Sequence, residues 1–216
     1  MVVHRIAWRL LLPTSLLAVV ALPAAPGCFG QDCVAKDDVV PEGDVVTIVL
    51  RNTTGAVLFV DAGEGCSSTP FELTHDGKAA KWNRGVCDFS CEDVIAGDCA
   101  CAADCAPGSL VRIEPGASHS ISWDRSIYAV EDLSLECPAE GCPTQCSRRA
   151  VAGDGSYTLT AVAGTACDPD SGTCTCSDGQ DACTLPARLD GEPTITTSVT
   201  FALPDDAGGS VELALQ

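Results

Sequence analysis

The sequence is poor in positive charge and in helix-forming residues. Of its 216 residues, 12 are Lys or Arg and 30 are Asp or Glu, and the formal net charge is −18. DNA and RNA are polyanions that such a chain repels, so the composition argues against nucleic-acid binding. There is one Met beside 20 Gly and 13 Pro, and this balance favours β-structure with many turns.

The motifs of the common catalytic folds are also missing. The sequence has no Gly-x-Ser-x-Gly elbow, no His-Glu-x-x-His helix and no phosphate-binding loop. A copper site of the cupredoxin type needs two His, a Cys and usually an axial Met. The only Met is Met1, and His75 and His119 are the only histidines beyond the N-terminal region, so we interpret both as surface residues. We therefore expect a protein that is not an enzyme.

The N-terminal region has the layout of a secretory signal. Arg5 and Arg9 supply a positive start, the apolar stretch 10–21 follows, and small residues lead to Cys28. A membrane-spanning helix needs about 20 consecutive apolar residues. This run is shorter and ends in Pro and Gly, so we expect a signal peptide that is removed.

The junction at 25–28, Ala-Pro-Gly-Cys, resembles the lipobox of bacterial lipoprotein signal peptides. In that family, small residues precede a cysteine that carries a diacylglycerol and becomes the mature N-terminus. The resemblance covers only this region, and the family usually has Leu three residues before the cysteine. It implies lipidation of Cys28. Because Phe29 is not the Asp that retains such proteins in an inner membrane, it also implies an outer-membrane or cell-surface location. Ordinary cleavage a few residues earlier, giving a periplasmic or secreted protein, is the alternative.

Cysteine is abundant, and its number is odd. Fifteen cysteines cannot all pair within one chain, whereas an even number remains once Cys28 is set aside for lipid. In an exported protein we expect these to form disulfides, with partners that the sequence leaves open. Neighbours two residues apart, such as Cys99 and Cys101 or Cys174 and Cys176, are expected to pair elsewhere. The expected disulfide cysteines are Cys33, Cys66, Cys87, Cys91, Cys99, Cys101, Cys105, Cys137, Cys142, Cys146, Cys167, Cys174, Cys176 and Cys183.

Roughly eight or nine short β-branched segments, separated by turn signals, predict an all-β protein. In the segment 153–164, Tyr157 and Leu159 fall on one face of a strand and Thr158 and Thr160 on the other. Turn residues at 52–55, 76–77 and 204–209 predict three hairpins. Nearly every cysteine is expected in a connection between strands.

The order of these segments resembles that of several bacterial immunoglobulin-like sandwiches. The residues that carry the resemblance are Pro115-Gly116, a strand that ends in Trp123, a Gly-x-Gly-Ser-Tyr strand through Tyr157, and the final hairpin. Leu159 stands where antibody-type domains have a cysteine, so the resemblance is to the architecture. It implies an antiparallel immunoglobulin-like β-sandwich with Trp123 and Tyr157 in the core, and with long disulfide-stapled loops. A β-barrel is the alternative topology.

The chain divides into a signal peptide (1–27), a short acidic tether (28–44) and a single sandwich domain (45–216). The domain carries three cysteine-rich insertions. They span about 85–108, 136–150 and 165–186.

Two of these insertions have features of metal sites. Five cysteines between 87 and 105 could hold a soft metal, but export favours disulfides. The third insertion carries clustered carboxylates, which calcium prefers, although the EF-hand spacing is absent. We therefore expect no cofactor, with a weak Ca²⁺ site as an alternative. The acidic residues of that insertion are Asp168, Asp170, Asp178 and Asp181.

Together these features predict an exported, lipid-anchored structural or interaction module. Its partners would be the membrane, through the lipid, and an extracellular protein that binds the stapled loops. A metal- or thiol-handling cysteine-rich protein and a protease-inhibitor-like binding domain are the alternatives.

Overall fold

Alternating apolar residues organise the chain into two main β-sheets. The computed structural model describes residues 33, 38–39, 45–63, 69–85, 87–101, 108–177, 179–205 and 208–216. The predicted signal peptide and Cys28 therefore lie outside the described residues. In chain order the elements are β1 (Val46–Asn52), β2 (Leu58–Asp61), β3 (Glu72–His75), β4 (Lys78–Ala80), α1 (Cys91–Ala96), β5 (Leu110–Ile113), β6 (Ser118–Trp123), β7 (Ser126–Asp132), β8 (Gln145–Val151), β9 (Gly155–Gly164), β10 (Ala182–Leu185), β11 (Ile195–Leu203) and β12 (Ser210–Leu215).

The first sheet has three strands in the order β12-β1-β6, and the second has seven. In the second sheet the order is β10-β5-β2-β9-β3-β4, and β11 runs along the other edge of β9. Strands β7 and β8 form a separate antiparallel pair. Among the described strands, only β1 and β12 pair in parallel. The prediction of an all-β protein built from antiparallel sheets is confirmed.

One cluster of buried side chains joins the two larger sheets. The first sheet contributes residues such as Ile48 and Leu213, and the second contributes Leu159. The two predicted core aromatics, Trp123 and Tyr157, are both buried, and their rings meet edge to face with centroids 5.8 Å apart. Burial of this apolar surface is the main stabilising force for the sheets.

Strand β9 has the predicted two faces. Tyr157 and Leu159 are fully buried, whereas Thr158 and Thr160 face outward. On the outer face the hydroxyls of Thr160 and Ser198 are 2.8 Å apart, which is a cross-strand hydrogen bond. At the N-terminal end of β9, the Tyr157 hydroxyl donates to the Gly153 carbonyl at 2.8 Å.

Of the three predicted hairpins, only the one at Asp76 and Gly77 is confirmed. Both residues have positive φ, and they join β3 to β4. The prediction at 52–55 is wrong, because β1 belongs to the first sheet and β2 to the second. Asn52 explains the crossing: its buried amide group donates to the carbonyls of Ala56 at 2.8 Å and Ile113 at 3.0 Å.

The prediction of a hairpin at 204–209 is also wrong. Strand β11 pairs with β9 in the second sheet, and β12 pairs with β1 in the first. Phe201 and Leu203 before the turn, and Val211 and Leu213 after it, all enter the shared core. The chain therefore changes sheet here so that both apolar faces are buried in one cluster.

Most of the described cysteines lie in connections between strands, as expected, but three of the twelve are part of regular structure. Cys91 begins helix α1, Cys146 lies in β8 and Cys183 lies in β10. The predicted insertions at 85–108, 136–150 and 165–186 thus contain regular structure. In the part of the chain that the structure covers, no helix is long and apolar enough to cross a membrane.

Candidate functional site

Disulfides are concentrated in two regions outside the core of the sheets. The first stapled lobe comprises 87–101 and 133–146, together with Cys33. The second stapled lobe comprises 167–190. Six disulfides join the twelve cysteines that the structure describes, which confirms the disulfide-rich character predicted from the sequence. The pairs are Cys33–Cys137, Cys87–Cys101, Cys91–Cys146 and Cys99–Cys142 in the first lobe, and Cys167–Cys174 and Cys176–Cys183 in the second.

Cysteines two residues apart have different partners, as their spacing predicts. Cys99 pairs with Cys142, whereas Cys101 pairs with Cys87. The same holds for the neighbours in the second lobe. The remaining expected disulfide cysteines, Cys66 and Cys105, lie outside the described residues.

Helix α1 in the first lobe is set by local capping. The Ser90 hydroxyl accepts from the Asp93 N–H at 3.0 Å, and the Asp93 carboxylate accepts from the Ser90 N–H at 3.2 Å. Hydrogen bonding of the Asp93 carboxylate with the side chain and the N–H of Ser90 holds the pKa of Asp93 below its usual value. Gly97 ends the helix with φ of 91°. The signal Ser-x-x-Asp followed by Gly was present in the sequence, but the helix of six residues is too short to show periodicity.

The first lobe has a very small apolar cluster. Its buried members are Cys91, Val94 and Cys146, and the two cysteines form one disulfide. The Ala139 N–H donates to the Val94 carbonyl at 3.1 Å, and the Ser147 N–H donates to the Phe89 carbonyl at 2.7 Å. The helix is therefore fastened to β8 and to the 133–146 loop by covalent and backbone bonds.

The chain that enters the domain is fastened to the same lobe. Cys33 is bonded to Cys137, with Cα atoms 5.3 Å apart. The Val39 N–H donates to the Arg149 carbonyl at 3.0 Å, and the Asp38 carboxylate accepts from the Arg149 N–H at 2.8 Å. At these described points, the segment predicted as a tether lies against β8 and the lobe.

Ion pairs link β8 to β7 and to the turn that precedes β7. The Arg148 Nε lies 2.7 Å from Glu131 Oε1, and the Arg149 guanidinium contacts the Asp124 carboxylate. Partial burial alone would raise the pKa of Asp124. Hydrogen bonds from Ser126 and the charge of Arg149 outweigh that effect, so its pKa lies below the usual value.

The second lobe is folded by short-range contacts. The Asp168 carbonyl accepts from the Ser171 hydroxyl at 2.7 Å, and the Asp168 N–H donates to the Arg188 carbonyl at 2.9 Å. A Cβ atom at Gly172 would collide with the Pro186 carbonyl, so only glycine fits there. The lobe is thus a compact double loop closed by two disulfides.

The candidate metal ligands do not come together in the structure. One carboxylate oxygen of Asp168 accepts from the Asp170 N–H at 2.9 Å, which is an ordinary turn contact. Within the described ranges, no three His, Cys, Asp or Glu side chains form a group that could hold a metal ion. Asp178 lies outside those ranges.

The two histidines of the domain lie in different sheets. His75 stacks on Tyr157, with ring centroids 4.4 Å apart, and its Nε2 is 3.4 Å from the Asp76 carboxylate. His119 lies on β6, where burial lowers the pKa of its imidazole. The first histidine covers a core tyrosine, and the second is partly buried on a strand of the first sheet.

The arrangement is therefore a sheet scaffold with two cross-linked lobes. Comparison with protein-family models, with curated proteins and with solved structures finds no match for this chain.

Proposed function

We propose that this protein is an exported, lipid-anchored interaction module that presents its stapled lobes to a protein partner outside the cytoplasm. The observation that carries the proposal is the separation of roles within the fold. The shared core, which contains no cysteine, stabilises the sheets, and the six described disulfides cross-link the two stapled lobes outside it. Rigid loops on a stable scaffold are a common basis of protein recognition.

The proposal includes an immunoglobulin-like sandwich as the scaffold. Two sheets share one core in which Trp123 contacts Tyr157. The hydrogen bond from the Tyr157 hydroxyl to the Gly153 carbonyl has the form of the tyrosine corner known from such sandwiches. Leu159 pairs with Val199 at the position where antibody domains have a cysteine, so this scaffold relies on packing there.

Export and anchoring are supported by two independent features. Disulfides persist in oxidising compartments, and the described residues of this chain form six of them. The sequence at 25–28 resembles a lipobox, which would give Cys28 a diacylglycerol anchor at an outer membrane or cell surface. The same disulfides disfavour the metal- or thiol-handling alternative, because a cysteine in a disulfide offers no thiolate.

Mass spectrometry of the native protein tests the proposed export and lipid anchoring. We expect a mature chain that begins at lipid-bearing Cys28, with the described disulfides intact, and loss of the lipid in Cys28→Ala. A chain that begins upstream of Cys28, or several free thiols with bound metal, would overturn the proposal.

Site-directed photo-crosslinking in the producing cell tests the proposed binding of a protein partner. A photoreactive amino acid at Thr175, which is exposed in the second lobe, should give a discrete protein adduct. The matched control is the same amino acid at Thr196, exposed on β11. Equal labelling from both positions, or none from the lobe, would contradict a role for the stapled lobes in binding.

A further inference from the structure

We infer that the first stapled lobe faces the lipid surface and that Leu135, at its tip, lies in the headgroup region. This inference rests on the proposed lipidation of Cys28. It narrows that function by adding an orientation: the first stapled lobe meets the membrane, so the protein partner binds the second stapled lobe alone.

The first argument is the length of chain between the lipid and the domain. Cys33 is held at Cys137 by a disulfide, with Cα atoms 5.3 Å apart. Cys28 precedes Cys33 by five residues, and five residues span at most about 17 Å when fully extended. A lipid on Cys28 is therefore confined to the neighbourhood of Cys137, whatever path the connecting residues take.

The second argument is that the two residues described next after Cys33 also contact the domain near this lobe. Val39 and Asp38 are both bonded to Arg149 of β8, and β8 carries Cys146, which is joined to α1. The anchor is thus coupled to a body of the protein that is cross-linked internally, and a body held this way has a restricted orientation.

The third argument is the exposure of one large apolar side chain at this place. Leu135 is 86% exposed, more than any other large hydrophobic residue that the structure describes, and it precedes Cys137 by two residues. Val130, on the strand that leads into the same loop, is 54% exposed. In water such exposure is unfavourable, whereas at a bilayer interface the side chain is transferred out of water.

Charge identifies the kind of lipid surface. Asp132, Glu136 and Glu140 are all exposed and lie within five residues of Leu135 in the sequence. Carboxylates are repelled by anionic headgroups, so the surface that fits is zwitterionic, such as phosphatidylethanolamine.

Fluorescence quenching by brominated lipids tests the orientation. The acylated mature protein, which begins at Cys28, is reconstituted in vesicles of phosphatidylethanolamine and bromine-labelled phosphatidylcholine. Two variants are compared, Leu135→Trp and, as the matched control in the second lobe, Thr175→Trp. The parent protein gives the background from its own tryptophans, Trp82 and Trp123. We expect several-fold stronger quenching for the L135W tryptophan than for the T175W tryptophan.

Flotation and mass spectrometry of the same samples separate the two ways of failing. If Cys28 carries no lipid and the protein does not float with the vesicles, the proposed function and this inference both fall. If the lipidated protein floats and the two tryptophans are quenched equally, only the inference is wrong.

A double variant, Cys33→Ala with Cys137→Ala, tests the role of the disulfide. In the Leu135→Trp background it should retain flotation and lose much of the quenching. Unchanged quenching would show that this disulfide does not orient the lobe. Stronger quenching in vesicles of anionic phosphatidylglycerol would contradict the charge argument.

Discussion

The core that joins the two larger sheets contains twenty buried hydrophobic residues, and none of them is a cysteine. The buried cluster of the first stapled lobe contains three residues, two of which form a disulfide. The sheets are thus stabilised by burial of apolar area, and the lobe by cross-links that restrict the unfolded chain. The difference teaches that loops poor in apolar residues can still be ordered. It also implies that the two regions respond differently to the same perturbation.

The largest effect is expected from a cavity in the sheet core. Leu159 is fully buried in the middle of β9, and Leu159→Ala should lower the free energy of unfolding by about 2–5 kcal/mol. Urea unfolding followed by tryptophan fluorescence measures this loss. Val162→Ala, on the outer face of the same strand, is the control and should cost far less. Equal losses would show that β9 does not have a buried and an open face.

The next largest effect is expected when a disulfide is removed from the first stapled lobe. The double variant Cys91→Ala with Cys146→Ala leaves no unpaired thiol and should lower the stability of the lobe by about 2–4 kcal/mol. Hydrogen exchange should accelerate in α1 and β8 while the protection of β9 is retained. If β9 loses protection to the same extent, the lobe and the sheets unfold as one unit and the contrast between them fails.

A smaller effect is expected at the end of β9. Tyr157→Phe keeps the buried ring but removes the hydrogen bond to the Gly153 carbonyl. The expected loss is about 1 kcal/mol, measured by thermal or urea unfolding. Tyr128→Phe is the control, since the ring of Tyr128 packs under Arg84 through its face. A loss of stability in Tyr157→Phe alone supports the tyrosine corner of the proposed immunoglobulin-like scaffold. If Tyr157→Phe causes no loss, the tyrosine corner no longer supports that scaffold.

In the first stapled lobe, the hydrogen bonds that cap α1 can be tested in the same way as the Tyr157 hydrogen bond. Ser90→Ala should cost about 1 kcal/mol, seen as faster hydrogen exchange in α1 alone. Because the hydrogen bonds to Ser90 lower the pKa of Asp93, that pKa should rise in the variant, as followed by NMR titration. Ser90→Thr keeps the hydroxyl and should restore both properties. An unchanged pKa of Asp93 would argue against the capping box.

The smallest expected effect is on how stability depends on pH, and it arises from a histidine in the first sheet. Burial holds the pKa of His119 below its ordinary value of 6.5. Between the folded and the unfolded pKa, the unfolded chain binds more protons, so stability is complete above pH 6.5 and decreases as the pH falls below it. His119→Gln should flatten this part of the stability profile. A profile that keeps its slope would place the responsible group elsewhere.

Much of the sheet structure was predictable because residue alternation reports which side of a strand is buried. The two faces of β9 followed from that pattern. The turn at Asp76 and Gly77 followed from its residue types, and the core positions of Trp123 and Tyr157 followed from the resemblance to immunoglobulin-like sandwiches. The crossings near Asn52 and Pro204 did not, because alternation indicates a buried face and cannot indicate which sheet supplies the other half of the core.

The lobes were less predictable, for three physical reasons. Strand β8 contains Arg148 and Arg149, and two adjacent charged residues do not predict a strand. Their charges are neutralised by Glu131 and Asp124, which only the folded structure brings close. Helix α1 has fewer than two turns, so only its caps identify it. Disulfide partners depend on closeness in space: Cys33 and Cys137 are 104 residues apart in sequence.

The buried amide of Asn52 has a consequence for producing the protein. Asn52-Thr53-Thr54 is an acceptor sequence for N-linked glycosylation in eukaryotic secretory pathways. In the folded chain the Asn52 side chain is completely buried, and its amide hydrogens bind two backbone carbonyls. A sugar attached to that nitrogen before folding would displace those bonds and obstruct the passage from β1 to β2. A host that adds N-linked glycans would therefore divide the product into a foldable unmodified fraction and a glycosylated fraction that cannot reach this structure.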